Sequence, residues 1–187
     1  MPGGFRYEGY AIVSADGMIA DADGRMPPAL QNPADARFLS EALDRAAVLV
    51  HGRHSHEGHR NSPRRRRVVL SRRAAAIAAD PQAPHSVLWN PAGASFAAAC
   101  EALGIAGGTA AILGGPEVYA HFLELGYERF LLSRVPELTL SGGLPIFGRG
   151  RLPVDEALAA AGLRPAEPRW LDREAGVSLT AWRKAAG

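Results

Sequence analysis

The chain is short of cysteine, of net charge and of long apolar runs, and each shortage removes a class of protein. Its one cysteine, Cys100, cannot close an internal disulfide, and no paired-cysteine metal motif can be built from it. Cys100 stands in the alanine-rich run from Phe96 to Leu103, where a small buried hydrophobe is a plainer reading than a nucleophile. Lysine and arginine total 21 against 19 acidic residues, a formal net charge of +2, so no general polyanion-binding surface follows from the total. No apolar run is long enough to span a bilayer, and Met1 to Arg6 lack the apolar stretch of a signal peptide. A cytoplasmic protein with no membrane partner is the expectation. No repeat or linker interrupts the 187 residues, which suit one domain over 1–187, and a hydrophobic share of 47% is ample for a core.

What is present is an alternation of strands and helices. Tyr7 to Ser14 reads as a strand, Asp16-Gly17 as a turn, and Met18 to Ala20 as a short apolar return. Prolines and polar residues make Asp21 to Asn32 a loop. Asn32-Pro33 then pairs a capping side chain with a first-turn proline, and Phe38, Leu39, Ala42 and Leu43 follow at helical spacing. Short apolar runs at Ala47–Val50, Arg67–Leu70, Ser86–Trp89, Thr109–Leu113 and Arg129–Val135 suit strands buried on both faces. Ser95 to Leu103 reads as a helix capped by Ser95. Pro116 starts another, with Val118, Phe122 and Leu125 on its inner face. Leu144 to Phe147 is extended, Pro165 to Pro168 is loop, and Val177 to Trp182 alternates like a closing strand that is expected to run antiparallel. The pattern predicts an α/β sandwich around a largely parallel sheet.

The strongest local signal is Leu113-Gly114-Gly115-Pro116-Glu117-Val118-Tyr119, where a buried strand meets two glycines and a helix begins at once. Glycines let a ligand approach the backbone, and the free amides and dipole of a helix start favour a phosphate oxygen. The third glycine of a dinucleotide fingerprint is missing, and so is a Walker lysine. By itself the turn is either a phosphate site or an ordinary tight connection.

Together with its neighbours, the turn resembles the dihydrofolate reductase superfamily. Five pieces stand in that family's order. They are Ala11-Ile12-Val13-Ser14-Ala15-Asp16-Gly17-Met18-Ile19-Ala20, Val48-Leu49-Val50-His51-Gly52-Arg53-His54-Ser55, Val68-Val69-Leu70-Ser71-Arg72, the glycine turn itself, and Phe130 to Pro136 followed by Gly142-Gly143-Leu144-Pro145-Ile146-Phe147. The last resembles the riboflavin-biosynthesis branch, the reductase half of the bifunctional deaminase-reductases, more than the folate branch. The resemblance implies a three-layer dihydrofolate reductase-like sandwich with a mostly parallel mixed sheet and an antiparallel C-terminal strand. It implies an NADPH-dependent reductase acting on a pterin-like or pyrimidine-like ring, with riboflavin-type aminouracil reductase or dihydrofolate reductase-like activity. A homodimer is the oligomer it suggests.

Carried over residue by residue, Gly114, Gly115, Pro116, Glu117, Val118 and Tyr119 would line the pyrophosphate site. Gly52, Arg53, His54 and Ser55 would meet the adenosine side, beside Leu70, Ser71 and Arg72. Arg53 and Arg72 would flank a 2′-phosphate, the reason for expecting NADPH rather than NADH. Ala11, Ile12 and Ile19 would pack near the nicotinamide. Asp35 and Ser133 are the substrate-facing residues so implied, although Asp35 could instead only stabilise its helix start. The lid loop, with Met26-Pro27-Pro28, lacks the tryptophan usual in folate reductases, and the zinc motif of a fused deaminase is missing.

Two clusters invite rival readings. His51, His54, His56 and His59 suggest a metal, but their spacing beside a strand end, with Glu57 as the sole carboxylate, favours a surface loop and no metal. Arg64 to Arg67 suggest nucleic acid, but without interleaved aromatics a solvated loop, or one lip of the cofactor's phosphate site, is more economical. The alternative of another class is a nonenzymatic nucleotide- or nucleic-acid-binding protein on the same scaffold.

Overall fold

The computed structural model describes residues 4–55 and 57–185, which leaves His56 of the histidine cluster outside the described residues. Strand β1 (Phe5–Ser14) starts earlier than the apolar pattern suggests and turns into β2 (Met18–Ala20). The Ser-x-Asp-Gly motif builds that turn. Gly17 takes φ +81°, the Ser14 hydroxyl accepts from the Met18 amide at 3.0 Å, and Asp16 accepts from the Leu140 amide at 3.0 Å. The loop to Asn32 contains one 3-10 turn, Pro28–Leu30, which buries Leu30.

Helix α1 (Pro33–Arg45) starts where the cap predicts: the Asn32 side chain accepts from the amides of Ala34 at 2.9 Å and Asp35 at 3.1 Å. There follow β3 (Val48–Gly52), β4 (Arg67–Leu70), β5 (Ile77–Ala79) and β6 (Ser86–Trp89). Next come α2 (Phe96–Glu101), capped by Ser95, then β7 (Gly108–Ile112), α3 (Pro116–Leu125), β8 (Arg129–Val135) and β9 (Leu144–Pro145). The chain ends with α4 (Val154–Ala160), β10 (Leu163–Pro165), β11 (Arg169–Asp172) and β12 (Val177–Lys184).

The main sheet runs β10-β12-β8-β1-β7-β3-β4-β6-β5, with β11 also on β12 and a small β2-β9 pair apart. The central pairings β8-β1-β7-β3-β4-β6 are parallel, whereas β12 runs antiparallel to β8. This is the mixed, mostly parallel sheet that the sequence predicts. Alternate strand residues feed two cores on its opposite faces. Val48, Val50, Ile112, Phe130 and Leu132 pack with Phe96 of α2, Val118 and Phe122 of α3 and Leu158 of α4. Tyr10, Leu49, Ala111, Leu131 and Leu179 pack under Ala42 and Leu43 of α1. Three layers result.

Three expectations need correction. Leu125 is 48% exposed rather than on the inner face of α3, because it is the last residue of the helix, where the buried stripe of Val118 and Phe122 has run out. Only Leu144 and Pro145 of the predicted extended piece pair as a strand. The stretch before β12 is also richer than a loop, holding α4, β10 and β11.

Candidate functional site

The pairing of β1 locates the site. β1 pairs with β7 from Phe5↔Gly108 only to Gly9↔Ile112, but with β8 as far as Ser14↔Val135. Beyond Gly9 the sheet splits at the C-terminal ends of its parallel strands, the place where open α/β sheets bind ligands. The split opens into a cleft of about 990 Å³. Ala11, Ile12 and Ile19 form one apolar wall, Leu113, Gly114, Gly115, Pro116 and Tyr119 another, and Met26 and Pro28 of the loop after β2 lie at the mouth. Tyr119 is a support more than a contact: its ring is buried and its hydroxyl donates to the Tyr10 carbonyl oxygen.

Asp35 and Ser133 meet inside this cleft. Asp35 sits in the first turn of α1 and is buried; Ser133 lies near the end of β8 and is buried as well. Burial pushes the Asp35 carboxyl above its ordinary value, and the Ser133 hydroxyl bond and nearby His59 oppose that shift without cancelling it. Asp35 therefore does more than stand at a helix start: it is a desolvated carboxyl held by a serine and turned to a cavity.

The glycine turn forms a cradle. Gly114 takes φ +103°, and a Cβ on it would lie 2.6 Å from the Tyr119 ring, so only glycine fits. Its carbonyl accepts from the Gly52 amide at 2.8 Å, which ties the ends of β3 and β7 together. A Cβ on Gly52 would come 3.8 Å from the Gly115 amide nitrogen, and one on Gly115 would reach 4.0 Å from Ser55 Oγ. Those two missing Cβ atoms leave a backbone-lined hollow beneath Ser55. The start of α3 has no side-chain cap, which leaves its first amides without a side-chain acceptor, an arrangement that favours an anionic group.

Of the remaining predicted contacts, His54 and Ser55 line the cleft, whereas Gly52, Arg53, Leu70, Ser71, Arg72, Glu117 and Val118 are not among its lining residues. Gly52 and Val118 sit at the cradle's edge, Val118 buried and within 3.7 Å of a Gly52 Cβ. Arg53 is exposed beside them. Leu70 and Ser71 close the neighbouring strand end, where the Ser71 amide donates to the Trp89 carbonyl at 2.8 Å. Arg72 and Glu117 form an exposed ion pair at 3.0 Å, so Arg72 would have to exchange this partner to hold a phosphate.

The histidine-rich loop is the part that the sequence reading placed wrongly. It is no plain surface loop: His51, His54, Glu57 and His59 all line the cleft. Nor are Arg65 and Arg67 solvated. Arg65 is buried against Asp44 at 2.6 Å and Glu57 at 2.7 Å, and Arg67 reaches Glu57 at 2.6 Å. Extended backbone from Arg65 into β4 alternates these side chains: Arg65 turns to Asp44 and Ser40 of α1, Arg66 is exposed, and Arg67 turns to Glu57 and Ser62, while Arg64 ends a 3-10 turn and is exposed. Burial pushes Glu57 up, but the Arg67 bond, the His59 amide and the Arg65 charge outweigh it and hold the carboxyl at about 2. Among the described residues no group of three or more His, Cys, Asp or Glu is placed to hold a metal ion, and no helix is long and apolar enough to cross a membrane.

No protein-family model and no curated protein matches the chain. Solved structures do match in shape. A protein ascribed to riboflavin biosynthesis from Shewanella sp. PV-4 superposes with a TM-score of 0.64 at 20% identity, over 97% of this chain and 99% of that one. Dihydrofolate reductase from Enterococcus faecalis, solved with NADP(H), gives 0.64 at 16% identity, over 97% of each chain. A diaminohydroxyphosphoribosylaminopyrimidine deaminase/5-amino-6-(5-phosphoribosylamino)uracil reductase from Thermotoga maritima gives 0.63 at 15%, with 96% of this chain covering 56% of that one. The folate and pyrimidine enzymes thus fit the backbone equally well, and the chain has the fold of the dihydrofolate reductase superfamily.

Proposed function

We propose that the protein is an NADPH-dependent reductase acting on a pterin-like or pyrimidine-like ring. The observation that carries this reading is the meeting, in one cleft, of a glycine cradle at an uncapped helix start with a buried carboxyl–serine pair. Two of the neighbours that share the fold carry reductase names, and one of these was solved with NADP(H).

The residues present suit that cofactor. The hollow between Gly52, Gly115 and Ser55 would hold a pyrophosphate on backbone amides, and Arg53, next to Gly52, and Arg72, paired with Glu117 in the first turn of α3, would supply guanidinium groups to a 2′-phosphate. NADPH held there supplies hydride to an electrophilic carbon of the substrate. The chain does the rest. Ala11, Ile12, Ile19 and Leu113 exclude water from the reacting edge. Asp35 accepts hydrogen bonds from ring N–H groups while the Ser133 hydroxyl fixes its orientation. Burial that raises the Asp35 carboxyl moves its proton affinity toward that of a useful acid for the ring nitrogen.

Titrating NADPH while following fluorescence of Trp89, Trp170 and Trp182 tests the first half. Absence of binding at submillimolar cofactor overturns the proposal. NADPH oxidation with dihydrofolate, a dihydropterin and a ribosylaminopyrimidine then separates the substrates. Tight NADPH binding with no turnover of any of the three would favour the nonenzymatic nucleotide-binding reading.

A further inference from the structure

We propose that His59 is a substrate-contacting, specificity-determining residue, presented to the cleft by Glu57 as a second polar contact beside Asp35. The inference rests on the reductase reading and adds to it.

The loop that carries His59 is pinned from three sides. Arg67 on β4 donates to Glu57 Oε2 at 2.6 Å, Arg65 forms an ion pair with Oε1 at 2.7 Å, and Arg65 also holds Asp44 and the Ser40 carbonyl on α1. Glu57 in turn accepts from the His59 backbone amide at 2.8 Å and lies 2.8 Å from the ring nitrogen Nδ1. The loop holds Nδ1 against the Glu57 carboxylate without a hydrogen bond between them, and Nε2 is the ring nitrogen left to face outward.

Exposure agrees with that assignment. Nδ1 is wholly buried, yet the side chain as a whole keeps 24% of its surface accessible. The open surface therefore belongs to the other ring atoms, and the ring lines the cleft with Asp35. Nε2 makes no hydrogen bond to any described residue. Among the described residues lining the cleft there is no lysine or arginine, so an imidazole is the basic side chain available to a polar substrate atom, and His59 is the one that lies close enough to Asp35 to act on its carboxyl. The substrate class that follows is a flat heterocycle with N–H donors for Asp35 and a further polar atom, within the ring's reach, for an imidazole nitrogen.

Glutamine and asparagine separate the two roles that His59 could have. The amide of His59→Gln stands near the place of Nε2, that of His59→Asn near the place of Nδ1. Pterin and 5,6-diaminouracil are titrated by calorimetry into the NADP-saturated protein, and the one that binds more tightly is carried through the variants. His59→Asn should weaken binding about tenfold and His59→Gln by no more than about threefold, the range of one hydrogen bond lost or kept. Melting temperature and NADP affinity should stay unchanged in both. Loss of ligand affinity in both variants, with melting and NADP affinity intact, also supports the contact. Three results overturn it: ligand affinity unaltered in both, loss confined to His59→Gln, or loss that tracks a fall in melting temperature. If the wild-type protein binds neither probe, the ring-substrate reading itself falls, and the His59 role with it.

Discussion

Asp35, in the first turn of α1, and Glu57, on the loop after β3, line the same cleft, yet their surroundings drive them in opposite directions. Asp35 has burial, one serine hydroxyl and a neighbouring imidazole, and its carboxyl sits above the ordinary value. Glu57 has two arginines, a backbone amide and the His59 ring, and its carboxyl is held at about 2. One carboxylate is left short of partners and faces the cavity. The other is saturated and cannot give up its charge at working pH. Paired titratable groups pushed apart in this way commonly divide chemistry from support. Asp35 is suited to meet a substrate, and Glu57 to hold the loop that surrounds it.

Removing the saturated partner should have the largest effect. Glu57→Ala leaves Arg65 and Arg67 buried without their shared anion, and should cost about 3–5 kcal/mol in chemical denaturation. A loss below about 1 kcal/mol, the scale of an exposed pair, would mean that the loop is not clamped through Glu57.

Asp35→Asn should act on turnover. NADPH oxidation should fall by about 10²-fold with NADPH affinity unchanged, the scale of a lost acid–base group. The same substitution removes a desolvated charge, so stability at neutral pH should hold or rise. An equal loss of cofactor binding would take Asp35 out of the substrate role.

Acid titration sharpens the contrast through opposite signs. Glu57 is depressed from 4.5 to about 2, so its contribution is complete above pH 4.5 and disappears as pH falls toward 2. Asp35 is raised from 3.8, so its contribution is complete below pH 3.8 and is lost as pH rises through its folded-state value. Urea denaturation against pH should therefore show the gap between wild type and Glu57→Gln closing in acid. The gap between Asp35→Asn and wild type should open as pH rises. Parallel curves for the two pairs would erase the distinction. The smallest change belongs to a site outside the cleft: Leu125→Ser, on an exposed helix end, should stay within about 0.5 kcal/mol of wild type.

Much of the scaffold was legible because its signals are local. Buried parallel strands read as apolar runs, Asn32-Pro33 capped α1, and the two glycines before Pro116 marked a turn that bulkier residues would obstruct. The pieces missed were those without such signals. β5, β10 and β11 are short edge or near-edge strands whose pairing comes from their neighbours, and α4 has no capping side chain. The histidine loop was misjudged for a different reason. Four arginines in succession look solvated when charge is counted residue by residue, whereas Asp44 and Glu57, from distant segments, draw Arg65 fully and Arg67 partly out of solvent.

The sequence by itself determined the central strands and the helices α1 to α3, where the chain can approach a ligand closely, and that one carboxylate starts the first long helix. These depend on residues within a turn or two of one another, where propensity, capping and hydrophobic spacing act. Only the tertiary structure decided that Asp35 meets Ser133, that Glu57 gathers Arg65, Arg67 and His59, and that β1 leaves β7 after Gly9 to open the cleft. Those outcomes join residues from separate strands, helices and loops. Whether a charge is stranded or satisfied there depends on which groups the packed sheet brings within a few ångströms, and no local pattern carries that information.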